Sequence, residues 1–439
     1  MPYRNIRLHP VLRLIYFVFR ALGWLGVTVF YRRRIVLGSA HFRFDGPAIL
    51  ITNHPSTLMD VFNPGIPVRQ EMFFLANYGL FRHPVSNWLL TRLYCIPVKR
   101  REDVSEGEVR DNNAAFEKSF QHLEKNGVLF IAAEGTSWMN RRVREFKTGT
   151  ARIALGAEER NDWKLGVKII PVGLSYSAPH LFRSNVVVHC GEPVDISTWA
   201  AAWDQNPEKA VEDLTTDLQH RVTALTIHTR DEESEQFITR LEEVVNNADP
   251  QPLEASFFRT KRLAETLQDN RDLRQKTNDY FNDLKKAGLS DAGINLWMAP
   301  DKSVRIRKGV LMLVAGFLPF AAGYVFWFLP CFLPWLLNKK LNLYIGYSSS
   351  IKILAGLITF PLALWAACHY LPALFGWTHG GVFILPGLLL LGLLADEYSR
   401  LAGNMLEYLK MKRFAGKNAE QANDLALSRR SILAETGVA

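Results

Sequence analysis

The chain has 439 residues, 48% of them hydrophobic and 22% charged, which excludes a disordered or fibrous protein. This composition fits one or two globular domains together with some membrane-embedded material. Lys and Arg outnumber Asp and Glu by 52 to 43, and the net charge of +9 suits an anionic membrane surface, nucleic acid or an acidic substrate. The four cysteines lack CxxC spacing, so neither a zinc site nor a disulfide framework is indicated.

The N-terminal apolar run, residues 10–31, contains Arg13 and Arg20 and has no small-residue cleavage site, which argues against a cleavable export signal. These two arginines lie seven residues apart on one helical face, and this favours a helix lying in the membrane interface over a span. The arginine triplet 32–34 would then face anionic headgroups. We therefore assign residues 1–40 to an N-terminal amphipathic, membrane-associated helix.

Residues 41–205 alternate between strand-length apolar segments and helical segments. This rhythm predicts an α/β domain with a mostly parallel sheet flanked by helices. The clearest helix runs from Val104 to Lys125 and ends at Asn126 and Gly127. In such sheets functional groups gather beyond the carboxyl ends of the strands. The predicted strands are 48–52, 72–76, 95–99, 128–133 and 167–174.

Residues 206–306 are polar and predict a helical connector, whereas residues 307–439 predict an α-helical membrane region with a basic tail. A bilayer crossing needs roughly 20 apolar residues, and segment 351–372 meets this requirement. Segment 381–395 would form a hairpin with it. Trp365, Trp377 and His379 are expected near one membrane interface.

Segment 309–337 contains Pro319, Pro330 and Pro334, and this predicts a broken, re-entrant or interfacial helix. The tail favours a cytoplasmic C-terminus by the positive-inside rule, because it is rich in cations. These tail cations are Lys410, Lys412, Arg413, Lys417, Arg429 and Arg430.

The sharpest feature follows the first predicted strand, where His54 is separated from Asp60 by five residues. A histidine at a strand end can act as a general base whose orientation an acid fixes. On one continuous helix a separation of six positions turns through about 240°, so the two side chains would point apart. His54 must therefore lie in a turn and Asp60 on the following helix. The alternative is a structural histidine with an ordinary surface acid.

Further polar groups follow other predicted strands. Lys99, Arg100 and Arg101 could hold a phosphate, or could form a solvated charge run. The turn after the fourth strand contains Glu134, Gly135 and Thr136, and Lys147 precedes a helix whose start would suit an anion. A base, a cationic site and a second acid at the strand ends of one sheet favour an active site.

These motifs resemble the glycerolipid acyltransferase superfamily, the PlsC-like lysophosphatidate and glycerol-3-phosphate acyltransferases. The resemblance covers about residues 40–195 and rests on NHPSTLMD, YCIPVKR, FIAAEGTSW and VKIIPVG in that order. It implies His54 and Asp60 as the catalytic pair and Arg100 as a ligand of the acceptor phosphate. By the same resemblance, Lys99, Arg101, Glu134, Gly135, Thr136 and Lys147 are expected to contribute to substrate binding.

Two departures from the family pattern bear on the acceptor. Five residues rather than four separate the histidine from the aspartate, a variant similar to the glycerol-3-phosphate and dihydroxyacetone-phosphate branch. Ala133 replaces the usual proline of the third motif, and Ser137 replaces its arginine. Phosphate binding would then rely more on Arg100, Lys147 and the arginines at 141, 142 and 144.

The resemblance implies an enzyme of phospholipid synthesis that transfers a fatty acyl group from acyl-CoA or acyl carrier protein to glycerol 3-phosphate or its 1-acyl ester. No metal or cofactor is expected beyond the acyl thioester co-substrate, and membrane lipids are the other expected partners. We expect the bacterial inner membrane, with the catalytic domain facing the cytoplasm. The alternatives are an acyltransferase or transacylase for another lipid hydroxyl, such as that of an aminolipid, or a non-catalytic lipid-binding membrane protein. A nucleic-acid partner is not expected, since the basic residues are dispersed.

Overall fold

The structure is a computed structural model that describes residues 10–92, 94–100, 103, 111–374, 376 and 381–437. Its contacts define two compact units. The first comprises Met1–His228 with Leu343–Ser350, and the second comprises Thr229–Asn342 with Ile351–Ala439. The boundary expected between residues 205 and 206 lies inside the first unit, because the contacts group the residues on both sides of it together.

The first unit contains an eight-stranded, mostly parallel sheet, as predicted, in the order β1-β7-β6-β2-β5-β3-β4 with β8 beside β6. Strand β2 lies between β5 and β6 and is parallel to both, and β7 runs antiparallel to β6. All five predicted strands form. The strands are β1 Arg33–Leu37, β2 Ala48–Thr52, β3 Met72–Asn77, β4 Cys95–Val98, β5 Val128–Ala132, β6 Lys168–Tyr176, β7 Asn185–Cys190 and β8 Val194–Asp195.

The helices of this unit flank the sheet. The apolar face of α5 packs with α4, α7 and the strands into one core, in which alternate residues of β2, Ile49 and Ile51, are fully buried. The predicted helix 104–125 is described from Asn113 onwards, and residues 104–110 lie outside the described part of the chain. The helices are α1 Pro10–Phe30, α2 Met59–Gly65, α3 Pro84–Arg92, α4 Asn113–Glu124, α5 Gly149–Glu159, α6 Ala200–Gln205 and α7 Pro207–Ala224.

The N-terminal helix α1 turns its two arginines toward the protein. Arg13 pairs with Glu71 at 2.7 Å, and Arg20 donates to the carbonyl of Ile66 at 2.7 Å. The exposed side of α1 is mainly apolar and includes Leu14 and Trp24, while the paired Arg13 side chain is 51% exposed. Such a face suits a lipid environment, and α1 is also long and apolar enough to cross a membrane.

All the regular secondary structure in the described residues of the second unit is helical. Helices α8 to α11 form its polar part, and α12 to α14 are long and apolar. The helices are α8 Glu232–Ala248, α9 Leu253–Leu267, α10 Arg271–Ala287, α11 Asp291–Met298, α12 Lys302–Leu341, α13 Ser348–Leu374, α14 Leu385–Ala415 and α15 Ala419–Thr436.

The prediction of a broken helix over residues 309–337 is wrong, because α12 is one continuous helix of 40 residues. Proline at position 334 cannot donate to the carbonyl of Pro330 four residues earlier. The hydroxyl of Thr359 on α13 donates to that carbonyl at 3.0 Å and so satisfies it. Close contact with α14 also depends on Gly323, where a Cβ atom would lie 2.4 Å from the Leu391 carbonyl oxygen.

Within the described residues, four helical segments are long and apolar enough to span a membrane, which supports a membrane-associated protein. Orientation and the bacterial inner membrane stay predictions. Trp365 lies on α13, whereas Trp377 and His379 lie outside the described residues. The four segments are Pro10–Phe30, Lys302–Leu341, Ile345–Ala373 and Gly381–Ala415.

Arg429, one of the predicted cationic residues of the tail, is buried instead of exposed to solvent. The Arg429 side chain is 4% exposed and donates from Nε to Oδ1 of Asp291, itself fully buried, at 2.8 Å. Asp291 also accepts from Tyr280 at 2.7 Å and from Asn247 at 2.8 Å. Arg429 therefore joins α15 to α11 inside the second unit and is not available to interact with lipid headgroups.

We predict that Arg429→Ala lowers the free energy of unfolding by about 3–5 kcal/mol, because it leaves the Asp291 carboxylate buried without its cation. Arg430→Ala is the matched control, since the neighbouring Arg430 is exposed. Chemical denaturation of the detergent-solubilised protein measures both. Equal stability of the two variants would show that the buried ion pair contributes little.

Candidate active site

The turn that follows β2 is fixed to the neighbouring strand β6 by Asn53. Its side-chain Oδ1 accepts from the Leu174 N–H at 2.8 Å, and its Nδ2 donates to the Leu174 carbonyl at 2.9 Å. The side-chain amide thus extends the β2–β6 ladder one residue beyond Thr52, the last residue of β2. The backbone enters the turn at His54 from a fixed position.

His54 and Asp60 form a hydrogen-bonded pair in this turn. His54 Nδ1 lies 2.9 Å from Asp60 Oδ2, and the side chains are 16% and 0% exposed. Between them Thr57 adopts φ +46°, and this left-handed residue reverses the chain so that Asp60 lies in the first turn of α2. His54 therefore lies in a turn and Asp60 on the following helix, as their separation in the sequence predicts. Because Nδ1 faces the carboxylate, Nε2 is the ring nitrogen left to exchange a proton.

The Asp60 carboxylate accepts hydrogen bonds from three groups. Besides His54, the Ser56 N–H donates to Oδ2 at 2.6 Å and the Tyr176 hydroxyl donates to Oδ1 at 2.7 Å. Burial raises the pKa of Tyr176 well above its ordinary value, and the Asp60 charge raises it further, so the hydroxyl stays protonated as a donor. A carboxylate removed from water is stable only with such partners.

The network continues to Arg34. Asn63 Nδ2 donates to the Tyr176 oxygen at 3.2 Å, and Asn63 Oδ1 accepts from Arg34 Nε at 3.0 Å. The prediction that Arg34 faces lipid headgroups is therefore wrong. The cause is β1, whose parallel pairing with β7 makes residues 33–37 part of the sheet and turns Arg34 toward α2.

Glu134 supports the backbone of His54 from the turn that follows β5. Its Oε1 accepts from the His54 N–H at 3.1 Å, and the His54 carbonyl accepts from the Trp138 N–H at 3.0 Å. The turn depends on Gly135, whose φ of +73° is readily adopted only by glycine. Glu134 is 5% exposed, and this burial raises the pKa of its carboxyl from 4.5 to about 8. Glu134 was predicted as a substrate ligand, and in the structure it holds the backbone of the turn that contains His54.

The predicted cationic site lies in part beside that turn. The Arg100 guanidinium is within 3.5 Å of Thr136 Oγ1, a distance at the limit of a hydrogen bond. The Lys99 ammonium lies 5.5 Å from the centre of the Tyr78 ring. Lys147 is exposed, and its N–H donates to the Ala133 carbonyl at 2.9 Å.

Arg101 lies outside the described residues. Within the described part of the chain, no group of three or more His, Cys, Asp or Glu side chains is placed to hold a metal ion.

Sequence reasoning missed the groups that hold the pair. Ser56, Asn63, Tyr176 and Arg34 all act through Asp60 or through one another. Tyr176 was detectable in principle, because it is a polar residue at the end of a predicted strand that extends two residues beyond its expected limit. No pattern in the sequence could have predicted the side-chain contacts of Asn63 and Arg34, since these contacts depend on how α2 and β1 pack.

Part of the first unit is similar to known acyltransferases. The Acyltransferase family model matches residues 33–175. Glycerol-3-phosphate O-acyltransferase 1 of Saccharomyces cerevisiae is 32% identical over 127 residues, which cover 28% of this chain and 17% of the yeast protein. The chloroplastic 1-acyl-sn-glycerol-3-phosphate acyltransferase LPAT1 of Arabidopsis thaliana is 25% identical over 130 residues, covering 30% of this chain and 32% of the plant protein.

A solved structure, the 1-acyl-sn-glycerophosphate acyltransferase PlsC from Thermotoga maritima, aligns with 48% of this chain and 81% of that chain, with 20% identity and a TM-score of 0.35. The sequence matches cover at most about a third of these two relatives. The family model and these named relatives support a PlsC-like acyltransferase domain over residues 33–175.

The raised pKa of Glu134 predicts a pH-dependent stability. The folded protein retains a proton on Glu134 that the unfolded chain releases above pH 4.5. This contribution is fully present below that pH and is lost as the pH rises to about 8, with a slope of at most about 1.4 kcal/mol per pH unit. Glu134→Gln should remove that slope. Denaturation of both proteins between about pH 5 and 9 measures it, and identical profiles would show that Glu134 does not titrate as stated.

Proposed function

We propose that the protein transfers a fatty acyl group from acyl-CoA or acyl carrier protein to a hydroxyl of glycerol 3-phosphate or of its 1-acyl ester. The observation that carries this proposal is the 2.9 Å contact of His54 Nδ1 with the buried Asp60 carboxylate, inside an acyltransferase domain. This contact fixes the imidazole so that its other nitrogen can act as a general base.

In the proposed reaction, His54 Nε2 takes the proton of the acceptor hydroxyl while the hydroxyl oxygen attacks the thioester carbonyl carbon. A carbon–oxygen bond forms, and the carbon–sulfur bond breaks as the tetrahedral intermediate collapses. The imidazolium returns the proton to the departing thiolate, so no covalent enzyme intermediate is required. Asp60 stabilises the imidazolium, and backbone amides near Glu134 and Gly135 are candidates to stabilise the oxyanion.

The acceptor phosphate is assigned to Arg100, with Thr136 beside it and Lys99, Arg101 and Lys147 as further candidates. A guanidinium binds a phosphate in two-point fashion and stays charged at every physiological pH. The His–Asp spacing supports glycerol 3-phosphate as the first acceptor to assay. The similarity to the yeast protein named for that substrate supports the same choice.

We infer that the reaction takes place at a membrane surface. The exposed face of α1 is apolar, and the second unit contains three further helical segments that could span a bilayer. Both co-substrates that carry the acyl group are water-soluble thioesters, while a long-chain product partitions into lipid. We therefore propose a membrane-bound enzyme with its catalytic domain on the cytoplasmic side.

We predict that His54→Ala lowers the turnover number by about 10²- to 10⁴-fold, the usual contribution of a general base. Asp60→Asn should cause a loss of similar size, because the amide cannot stabilise the imidazolium. His220→Ala is the control, since His220 is exposed on α7. Thioester consumption with glycerol 3-phosphate and with its monoacyl ester measures all three, and undiminished turnover by both site variants would refute the assignment.

Arg100→Ala should raise the KM for glycerol 3-phosphate by about 10- to 100-fold while the KM for acyl-CoA stays unchanged, because one charge-assisted contact to the acceptor is lost. The control is Arg82→Ala, an exposed arginine of the same unit. Initial rates with each substrate varied in turn separate the two constants. An unchanged KM for glycerol 3-phosphate would show that Arg100 does not bind the acceptor phosphate, and the phosphate would then be assigned to other cationic residues.

A further inference from the structure

The segment Leu343–Ser350 spans the connection between α12 and α13 and includes Ser348–Ser350, the first three residues of α13. Both helices are apolar enough to cross a membrane, yet the contacts of this segment group it with the sheet-containing unit. Its three serines are buried there. Ser348, Ser349 and Ser350 are 4%, 1% and 7% exposed, and Gly346 is buried as well. A buried run of three serines requires hydrogen-bond partners.

Two of these serines contact the turn between His54 and Asp60. Ser349 Oγ lies 2.8 Å from Ser56 Oγ, and Ser350 Oγ lies 2.7 Å from Thr57 Oγ1. The same Thr57 hydroxyl donates to the Gly346 carbonyl at 3.2 Å. Both residues of the turn are therefore attached to a segment that is about 290 positions away in the sequence.

Ser56 and Thr57 are the residues on which the geometry of the pair depends. The Ser56 N–H donates to the same Asp60 oxygen that His54 contacts. Thr57 adopts φ +46°, a conformation that is unfavourable for a β-branched residue and persists only where the surroundings impose it. The Gly346 carbonyl and the Ser350 hydroxyl are the groups that hold its side chain.

A further contact ties the segment to the second turn of the site. The Tyr344 hydroxyl accepts from the Met139 N–H at 3.2 Å. The preceding residue, Trp138, donates its N–H to the His54 carbonyl. The segment thus touches the chain on both sides of the His54 backbone, next to the β2 turn and next to the Glu134 turn.

We propose that Ser349 and Ser350 are positioning residues that hold the left-handed turn and thereby keep Asp60 against His54. The acyltransferase site is then completed by the first turn of α13, and the C-terminal region contributes to catalysis in addition to membrane attachment. The kinetic test of this proposal rests on the proposed function. The structural test does not depend on that function.

The kinetic test uses the full-length, detergent-solubilised protein with acyl-CoA and glycerol 3-phosphate. The double variant Ser349→Ala/Ser350→Ala should lower kcat roughly 10-fold and leave both KM values within about twofold, because misorientation of the pair affects the chemical step. Ser348→Ala is the matched control, a buried serine of the same segment for which the structure assigns no contact with the turn. A kcat equal to that of Ser348→Ala would overturn the proposal.

A double-mutant cycle separates positioning from general destabilisation. Thr57→Val removes the hydroxyl that contacts Ser350. If that contact acts on the turn, Ser350→Ala should lower kcat far less in the Thr57→Val background than in the wild type. Full additivity of the two losses would contradict a direct connection.

The structural test is hydrogen–deuterium exchange of the same full-length proteins. Amides of residues 54–60 should exchange at least about fivefold faster in the serine double variant than in Ser348→Ala, because the turn loses two anchors. Equal exchange would refute the proposal whatever the activity. If the wild-type protein shows no acyltransferase activity, only the proposed function is refuted. The exchange rates of residues 54–60 are measured without any activity and test the positioning proposal independently.

Discussion

The Asp60 carboxylate is the group on which the site depends, because it is fully buried and must find its partners within the protein. It obtains them from three parts of the unit: the imidazole of His54, the backbone of Ser56 and the hydroxyl of Tyr176. Each donor also fixes the element that carries it. The β2 turn, the start of α2 and the end of β6 are therefore held together by one charge.

This requirement explains why so many polar residues around the pair are buried. Asn53 joins the turn to β6, Asn63 links Tyr176 to Arg34, and Glu134 accepts the N–H of His54. A network in which each member has a partner restricts the imidazole to one orientation. Preorganisation of this kind lowers the reorganisation that a base must undergo during proton transfer.

The apolar segments of the chain are tied to polar structure at specific points. The arginines of α1 contact Glu71 and the carbonyl of Ile66, which leaves an apolar face outward. In the second unit, the carbonyl freed by Pro334 accepts from Thr359, and the buried Arg429 pairs with Asp291. Each contact satisfies a polar group that burial or proline would otherwise leave unpaired.

The sequence was sufficient for the features that depend on local pattern. Five strands, the mostly parallel sheet and the position of His54 in a turn follow from hydrophobic runs and from the rotation of a helix over six residues. The same reasoning failed for α12, because local rules treat three prolines as helix breaks and cannot include a hydroxyl supplied by another helix. It also failed for Arg34 and Arg429, whose charge predicts exposure when no partner is visible in the sequence.

Sequence by itself determined that His54, Arg100 and Glu134 follow strands of one sheet, since each comes after an apolar run that forms a strand. It also determined that Asp60 lies on the helix after His54. Only the tertiary structure decided that Tyr176 and Arg34 complete the network, and that Glu134 supports the His54 backbone. The contacts of Ser349 and Ser350 with the turn between His54 and Asp60 were likewise decided only by the tertiary structure. These contacts join residues 29 to 293 positions apart, and no periodicity or motif records a hydrogen bond across such a separation.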